Sequence, residues 1–502
     1  MKSAIYFILF LFLSGRINIS AGQFPKREMR GVWIATVDNI DWPSSFNETS
    51  GEQISELVQI FEKLKAAGIN TVFFQVRTEC DALYKSSYEP WSYWLTGQQA
   101  KAPDPFYDPL AFAIKEAHAK GMELHAWLNP YRAVRDTGEY TISGNHISKT
   151  HPEWILQFGN YKMLNPGIPE VTDYIAKIAA DIVSRYDVDG IHLDDYFYPY
   201  SPKITNQDSA AFRIYKGKYT NIDDWRRNNI NSMIAKVYKT INRINQDVIF
   251  GVSPFGIVEN KYANTSGFSS YDILYCDPLE WIKNKTVDYV APQLYWEMGN
   301  QYADFKKLLP WWASIKDERE LYTGLNASKM ASQDWQGNPS ELYNEIRMTR
   351  QFQNIGGMVF FSAKSIFKNY SGLADTLKSS FFKFPAFVPE MKWKNFVPPD
   401  PPINLSAAGN DSSRTLTWYR PVINSDSILN YIIYRFIDND EIDLNNPQNI
   451  INVIYRRSYF RDDDILNNVR KVTYVVTSLN NKQVESSNYA EISVELKNVT
   501  GK

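Results

Sequence analysis

Asp189-Gly-Ile-His-Leu-Asp-Asp-Tyr-Phe-Tyr-Pro-Tyr200 begins as a buried strand and ends in two adjacent carboxylates and a run of aromatic rings. Apolar Ile191 and Leu193 alternate with His192 and Asp194, the two-residue period of a strand. That period puts His192 and Asp194 on one face. Asp195 then turns to the other face, unless the strand breaks at that point, as strands at barrel rims often do. A strand ending in acids and rings suits sugar chemistry. Acids move protons and answer developing positive charge, and rings stack on pyranose faces.

Strand-like and helix-like blocks alternate on both sides of this stretch. Strands are predicted over Met29–Val37, Thr71–Arg77, Met122–Asn129, Ile191–Asp195, Val248–Pro254, Val287–Tyr295, Leu321–Asn326 and Gly357–Ser362. Helices are predicted over Gly51–Ala67, Asp108–Lys120, Glu170–Tyr186, Asp223–Asn245, Pro278–Asn284, Tyr302–Ile315, Pro339–Asn354 and Ile366–Lys378. Eight strands, each followed by a helix, is the arithmetic of a (β/α)8 TIM barrel spanning residues 26–382. A doubly wound sheet alternates in the same way, but no Gly-rich phosphate turn follows the first strand. The long connections follow strands two to five, on the side where such barrels build their sites.

Residues at the strand ends share one mouth. Strand one contributes Trp33 and Asp38. Strand two contributes Gln75, Arg77, Glu79 and Asp81. Strand three contributes His125, Trp127 and Asn129, with Tyr131 and Arg132 just beyond. Strand four contributes His192, Asp194, Asp195 and Tyr196, and strand five Ser253. Strand six contributes Gln293, Tyr295, Trp296 and Glu297. Strand seven ends in Asn326, and strand eight in Ser362 and Lys364.

Glycoside cleavage needs one acid for the leaving oxygen and a second group as nucleophile or water activator. Asp194 is the leading candidate, and Asp195 either joins it or caps loop amides. Glu297 and Asp81 are equal candidates for the partner acid, ahead of Asp38 and Glu79. The alternative for each is a salt bridge to Arg77 or Arg132. A substrate-assisted route would need one strong acid and a neighbour to orient an acetamide. Trp33, Tyr131, Tyr196, Tyr295 and Trp296 are candidate stacking rings, with core packing equally open for each. Asp38, Arg77, Asn129, Arg132, His192, Gln293 and Asn326 are candidate substrate contacts. The five histidines include no pair at helical metal spacing, so neither a metal nor any other cofactor is expected. No Ser-centred nucleophile elbow is present.

The 502 residues exceed one ordinary domain. The net charge of −2 argues against a nucleic-acid partner. Aromatics make up 15 % of the chain, with 14 Trp and 32 Tyr, which suits a polysaccharide partner as well as packing. Met-Lys, an apolar run from Ala4 to Leu13 and then small residues predict a signal peptide over residues 1–22. The run is about half the length that spans a bilayer, and no other segment has that length and apolarity. The expectation is an exported protein of the periplasm, envelope or medium, monomeric or weakly associating. Cys80 and Cys276 read as small buried residues, with one bridge as the alternative.

Residues 383–402 are rich in proline and predict a stiff, extended linker. Short β-type runs over residues 403–498 predict a sandwich. Pro401-Pro-Ile-Asn-Leu-Ser-Ala407, the lone Trp418 and Tyr474-Val-Val-Thr-Ser-Leu-Asn480 resemble a fibronectin type III domain.

Six motifs in order carry a second resemblance. They are Arg30-Gly-Val-Trp-Ile-Ala-Thr-Val37, Gln75-Val-Arg77 with Asp81-Ala-Leu-Tyr84, Ala126-Trp-Leu-Asn-Pro-Tyr-Arg132, Asp189-Gly-Ile-His-Leu-Asp-Asp-Tyr196, Val252-Ser-Pro-Phe-Gly-Ile257 and Asp288-Tyr-Val-Ala-Pro-Gln-Leu-Tyr-Trp296. Together they resemble the glycosyl-hydrolase-like 10 family over residues 26–380. The resemblance implies an exported glycoside hydrolase acting on peptidoglycan glycan strands, as a cell-division-associated member is understood to do on strands stripped of peptides. The strand-four motif also resembles α-amylase-type barrels, where the Asp matching Asp194 is the nucleophile. In chitinase-type barrels the proton-donating Glu matches Tyr196, so a plain chitinase mechanism is not implied. Asn326 stands where cellulase-clan barrels carry a strand-seven acid. The alternative function is a carbohydrate-binding or envelope scaffold whose barrel lacks catalysis.

Overall fold

The computed structural model describes residues 24–315, 318–331, 340–410, 413–422, 428–464 and 469–496. The signal peptide expected over residues 1–22 lies outside the described residues. Strands β1 (Met29–Ile34), β2 (Thr71–Arg77) and β3 (Glu123–Leu128) open a closed parallel barrel. After β3, strands β4 (Arg132–Val134), β5 (Ile155–Phe158) and β6 (Tyr161–Leu164) form a small antiparallel sheet in the order β4-β6-β5. The barrel then continues with β7 (Gly190–Leu193), β8 (Ile249–Val252), β9 (Tyr289–Val290), β10 (Glu320–Asn326) and β11 (Gly357–Phe361), and β11 returns to β1. The expected (β/α)8 barrel is therefore present. The sheet of β4 to β6 was not predicted, because strands of three or four residues carry too little periodicity to read.

Local signals explain the surrounding helices. Ser50–Ala66 starts at a capping box in which Thr49 and Glu52 satisfy each other's amides. It buries Leu57, Ile60, Phe61 and Leu64 against the strands. Pro169–Arg185 carries its proline in the first turn, where no amide donor is needed, and Asn221 caps Ile222–Ile244. The helix expected over Ile366–Lys378 is broken, because Asn369 and Gly372 adopt left-handed backbone. Of the helix expected over Pro339–Asn354, Pro339 lies outside the described residues and the helix seen is Ser340–Thr349, ending five residues early.

Several predicted strands are shorter than read, and two of them bear on the site. The ladder of β9 covers only Tyr289 and Val290. Pro292 has no amide to donate, and single bridges at Gln293 carry the chain on beside its neighbours. β7 ends at Leu193, so Asp194 and Asp195 both lie on the rim and not within the ladder.

Alternation splits the core into two layers. Val32, Ile34, Ile191 and Leu193 pack outward under the helices. Met29, Trp33, Phe73, Trp127, Tyr289 and Tyr322 fill the barrel. Rings of this size fit only where facing positions lack side chains. A Cβ on Gly251 would lie 2.0 Å from Tyr289 Cζ.

The proline-rich segment corrects its expectation. Residues 383–402 do not form a free spacer but close the bottom of the barrel. Val388 and Met391 join the interior cluster, and Phe387 exchanges backbone hydrogen bonds with Glu28 and Lys26. Trp393 Nε1 donates to Asp288 Oδ1 at 2.8 Å, and Lys394 Nζ donates to the Gln246 carbonyl at 2.8 Å. The apolar residues between the prolines gain more from burial than an extended linker would from solvation.

Beyond it, β12 (Ile403–Gly409), β13 (Arg414–Tyr419), β14 (Ile428–Ile437), β15 (Ile450–Tyr455), β16 (Tyr459–Asp462), β17 (Lys471–Asn480) and β18 (Ala490–Glu495) form two antiparallel sheets. Their orders are β12-β13-β16 and β15-β14-β17-β18, a fibronectin type III-like sandwich around Leu416, Trp418, Tyr431 and Tyr474. Lys26 pairs with Glu485 at 2.5 Å and ties the sandwich to the start of the barrel. Cys80 and Cys276 are buried and unbridged. Among the described residues, no helix is long and apolar enough to cross a membrane.

Candidate active site

At the C-terminal mouth of the barrel lies a cavity of about 300 Å³. Asp194 and Asp195 lie on it together. Because β7 stops at Leu193, the backbone no longer alternates strictly, and both carboxylates reach the same space. This is the break at the barrel rim that the expectation for Asp195 left open. Rings form most of the wall: Trp33, Trp127, Tyr196, Tyr200, Phe255, Tyr295, Trp296 and Phe361. Gln75, Arg132, Ser253 and Gln293 supply the other polar groups.

The two acids are held differently. In the β3–β7 register Leu128 stands beside Leu193, and one residue further on Asn129 reaches Asp194. Asn129 Nδ2 donates to Asp194 Oδ2 at 3.2 Å, and Trp127 Nε1 donates to the same oxygen at 3.0 Å. Asp194 Oδ1 accepts no hydrogen bond. Burial pushes the Asp194 carboxyl up to about 7, against the opposing pull of Arg132, while Asp195 adds to the rise. Burial also raises Asp195, to about 6, and the Tyr200 hydroxyl and Gln293 amide hold it down. One pocket thus pairs an acid that keeps its proton near neutrality with a neighbour that ionises more readily.

Arg132 reaches the cavity from the start of β4. Its guanidinium lies 4.9 Å from the Tyr196 ring centre. Its backbone amide donates to Asn129 Oδ1 at 2.9 Å, so Asn129 holds both Arg132 and Asp194.

His192 sits beneath the floor. Trp33 Nε1 can only donate, so His192 Nε2, 3.1 Å away, accepts. The other nitrogen, Nδ1, then donates to Tyr289 Oη at 2.9 Å, and that hydroxyl bonds His125 Nδ1 at 3.0 Å. Burial holds His192 well below its ordinary range. It is a neutral structural imidazole that also bonds the Ser253 hydroxyl at 3.1 Å.

Several candidates lie off the cavity. Asp81 is buried in its own loop, accepting from Thr78 Oγ1 at 2.7 Å and the Glu79 amide at 3.1 Å. The Glu297 side chain is 44 % exposed and bonds Asn300 and Lys329. Asp38 pairs with Arg135 at the surface. Arg77 forms a buried pair with Glu89 at 2.7 Å. Tyr131 is core, and Asn326 Oδ1 accepts from the Ser328 amide. For Asp81, Glu297, Asp38, Arg77, Tyr131 and Asn326 this corrects the expectation that they face the substrate. Loops beyond the strand ends turned these side chains into turns, ion pairs and core.

Tyr200, Phe255 and Phe361 were missed. Tyr200 had a signal, since it closes the same aromatic run that follows Asp195. Phe255 and Phe361 had none, because an apolar ring at a strand end reads as core.

Comparison with known proteins identifies the family of the chain. The Glycosyl hydrolase-like 10 family model matches residues 28–339. Glycosyl hydrolase YngK of Bacillus subtilis (strain 168) is 39 % identical over 421 residues, covering 80 % of this chain and 81 % of that protein. Glycosyl hydrolase DigH of Escherichia coli (strain K12) is 38 % identical over 369 residues, covering 68 % of this chain and 84 % of that one. Among solved structures, the PgaB (BpsB) glycoside hydrolase domain from Bordetella bronchiseptica aligns at a TM-score of 0.44 and 14 % identity, covering 71 % of this chain and 99 % of that chain. This chain belongs to the glycosyl hydrolase-like 10 family and is a glycoside hydrolase built on a TIM barrel.

Proposed function

We propose that this enzyme is exported and hydrolyses the N-acetylated glycan strands of peptidoglycan, with Asp194 as general acid and the substrate's own acetamide as nucleophile. The observation that carries the reading is the pairing of Asp194 with Asp195 on one aromatic-walled cavity. Among the described residues lining that cavity, no other carboxylate appears. A double-displacement enzyme needs its second carboxylate across the sugar from the first. The candidates for that place, Glu297 and Asp81, are engaged elsewhere. An acetamide on the sugar supplies the missing nucleophile.

In this scheme the Asp194 carboxyl gives its proton to the glycosidic oxygen as the C1–O bond breaks. The acetamide oxygen attacks C1 and forms a cyclic oxazolinium. Asp195 accepts from the acetamide N–H and offsets its developing positive charge. Water then attacks C1, its proton passing to Asp194, and the ring reopens with retained configuration. Protonation of Asp194 up to about pH 7 suits the first step. Tyr200 and Gln293 fix the Asp195 carboxylate for the second role.

Export is supported by the charged start and apolar run of residues 1–13. The test is incubation of the purified enzyme with peptide-free peptidoglycan strands, followed by mass spectrometry. Shortened strands, and a loss of about 10³-fold in Asp194→Asn, are expected. Intact strands here and with other N-acetylated polysaccharides would overturn the reading.

A further inference from the structure

We infer that the recess between the base of the barrel and the sandwich is a second binding site, and that its ligand is a phosphate ester. The inference is independent of which glycan the mouth takes.

The recess has a volume of about 490 Å³. It lies at the end of the barrel opposite the mouth, since Arg30 is near the start of β1, Asn70 precedes β2 and Gly121 precedes β3. Asn430, Tyr455 and Gln483 close it from the sandwich. Barrel and sandwich approach closely here, for a Cβ on Gly121 would lie 3.4 Å from Asn430 Oδ1.

The chain as a whole carries a net charge of −2, but this recess is cationic. Arg30, Lys65, Lys120, Lys378 and Lys383 all line it, and among the described residues no aspartate or glutamate does. Two of the five cations are answered from outside it. Arg30 pairs with Glu28 and Lys120 with Glu116, each at 2.8 Å. Lys65, Lys378 and Lys383 have no carboxylate within ion-pairing distance among the described residues, and Lys383 rests only on the Phe384 ring. Burial and the Arg30 charge hold Lys65 below its ordinary range. Like charges gathered without a counter-charge repel one another, and an anionic ligand relieves that repulsion.

A second observation comes from the sandwich. Asn430 is 5 % exposed, and its side-chain amide bonds no group among the described residues. It is not one of the sealed polar atoms of the interior, so it stays open to the recess it lines. A buried amide without a partner is costly, and a ligand oxygen would satisfy it. Lysines act as point charges and suit the several oxygens of a phosphate, whereas a planar carboxylate favours the arginine fork. Val453, Tyr455 and Leu479 offer an apolar wall to the carbon chain that carries the phosphate.

The experiment titrates the full chain with sn-glycerol 3-phosphate by calorimetry and sediments it with phosphatidylglycerol vesicles. Binding should weaken at least tenfold in Lys65→Ala and in Asn430→Leu, and should fall as salt rises. Cleavage at the mouth should stay at the wild-type rate in Lys65→Ala. Binding of the soluble ester alone would support the inference with a soluble ligand as source. Vesicle binding that glycerol phosphate competes away would support it with a lipid headgroup as source. Binding of neither probe would overturn it. Glucuronate bound as tightly as glycerol phosphate would overturn the phosphate class, and binding unchanged in Lys65→Ala would overturn the site. The wild-type comparison of the two anions holds even where Asn430→Leu fails to fold.

Discussion

Trp127 donates its indole N–H to Asp194 Oδ2 at 3.0 Å, so an interior ring of the barrel supports the acid on its rim. The bond favours the ionised carboxyl. In Trp127→Phe the carboxylate loses this donor, and the Asp194 pKa should rise further. The basic limb of kcat/KM should move to higher pH, and kcat should fall about 10-fold or more, the worth of one hydrogen bond to a charged group. A pH–rate profile checks both. An unmoved basic limb would separate Asp194 from the proton transfer.

The same carboxyl makes folding stability depend on pH. Burial raises Asp194 from an ordinary 3.8 to about 7. Between those values the folded state binds more protons than the unfolded state, so stability falls as pH rises. The contribution is fully present below about pH 4 and is lost as pH passes through 7. Asp194→Asn removes the term. It should melt like wild type near pH 4 and at higher temperature near pH 8, by an amount on the order of a few kcal/mol. Calorimetry at the two pH values would detect it.

Asp195 and its partners carry a separate prediction. With the acetamide as nucleophile, Asp195→Asn should lower kcat by about 10²- to 10³-fold. Tyr200→Phe should lower it by about 10-fold, because only one donor to Asp195 is lost. A thiazoline analogue of the cyclic intermediate should inhibit competitively and more tightly than product. A de-N-acetylated strand should resist cleavage. Rapid cleavage of that strand would show that a protein group attacks C1.

The stretch from Asp189 to Tyr200 made the barrel and its leading acid legible, because strand alternation and strand ends follow directly from residue order. The position of Asp195 was not legible. Whether a strand ends at residue 193 or 195 depends on pairing with β8, which residue order does not show. Glu297 read as a mouth residue because it follows Tyr295 and Trp296, but the chain turns after Trp296 and leaves it half exposed beside Lys329. Arg132 read correctly as a mouth residue, since it lines the cavity, whereas the burial of Arg77 against Glu89 was not readable from residue order. Prolines around Phe387, Val388, Met391 and Trp393 masked a buried segment behind the composition of a linker.

That segment yields the last prediction. Met391 is 2 % exposed and packs with the rings inside the barrel. Its truncation to Ala should cost about 2–5 kcal/mol, the range for emptying a large buried site. Trp393→Phe keeps most of the ring but leaves Asp288 Oδ1 without its donor, and should cost about 1–3 kcal/mol. Urea unfolding monitored in the barrel would measure both. A true spacer would tolerate either change to within about 0.5 kcal/mol, as exposed sites do. If Met391→Ala falls in that range, the segment does not close the barrel. If the loss is several kcal/mol, the barrel needs residues beyond its eighth strand and final helices, and a version ending at residue 382 should unfold at lower urea than the full chain.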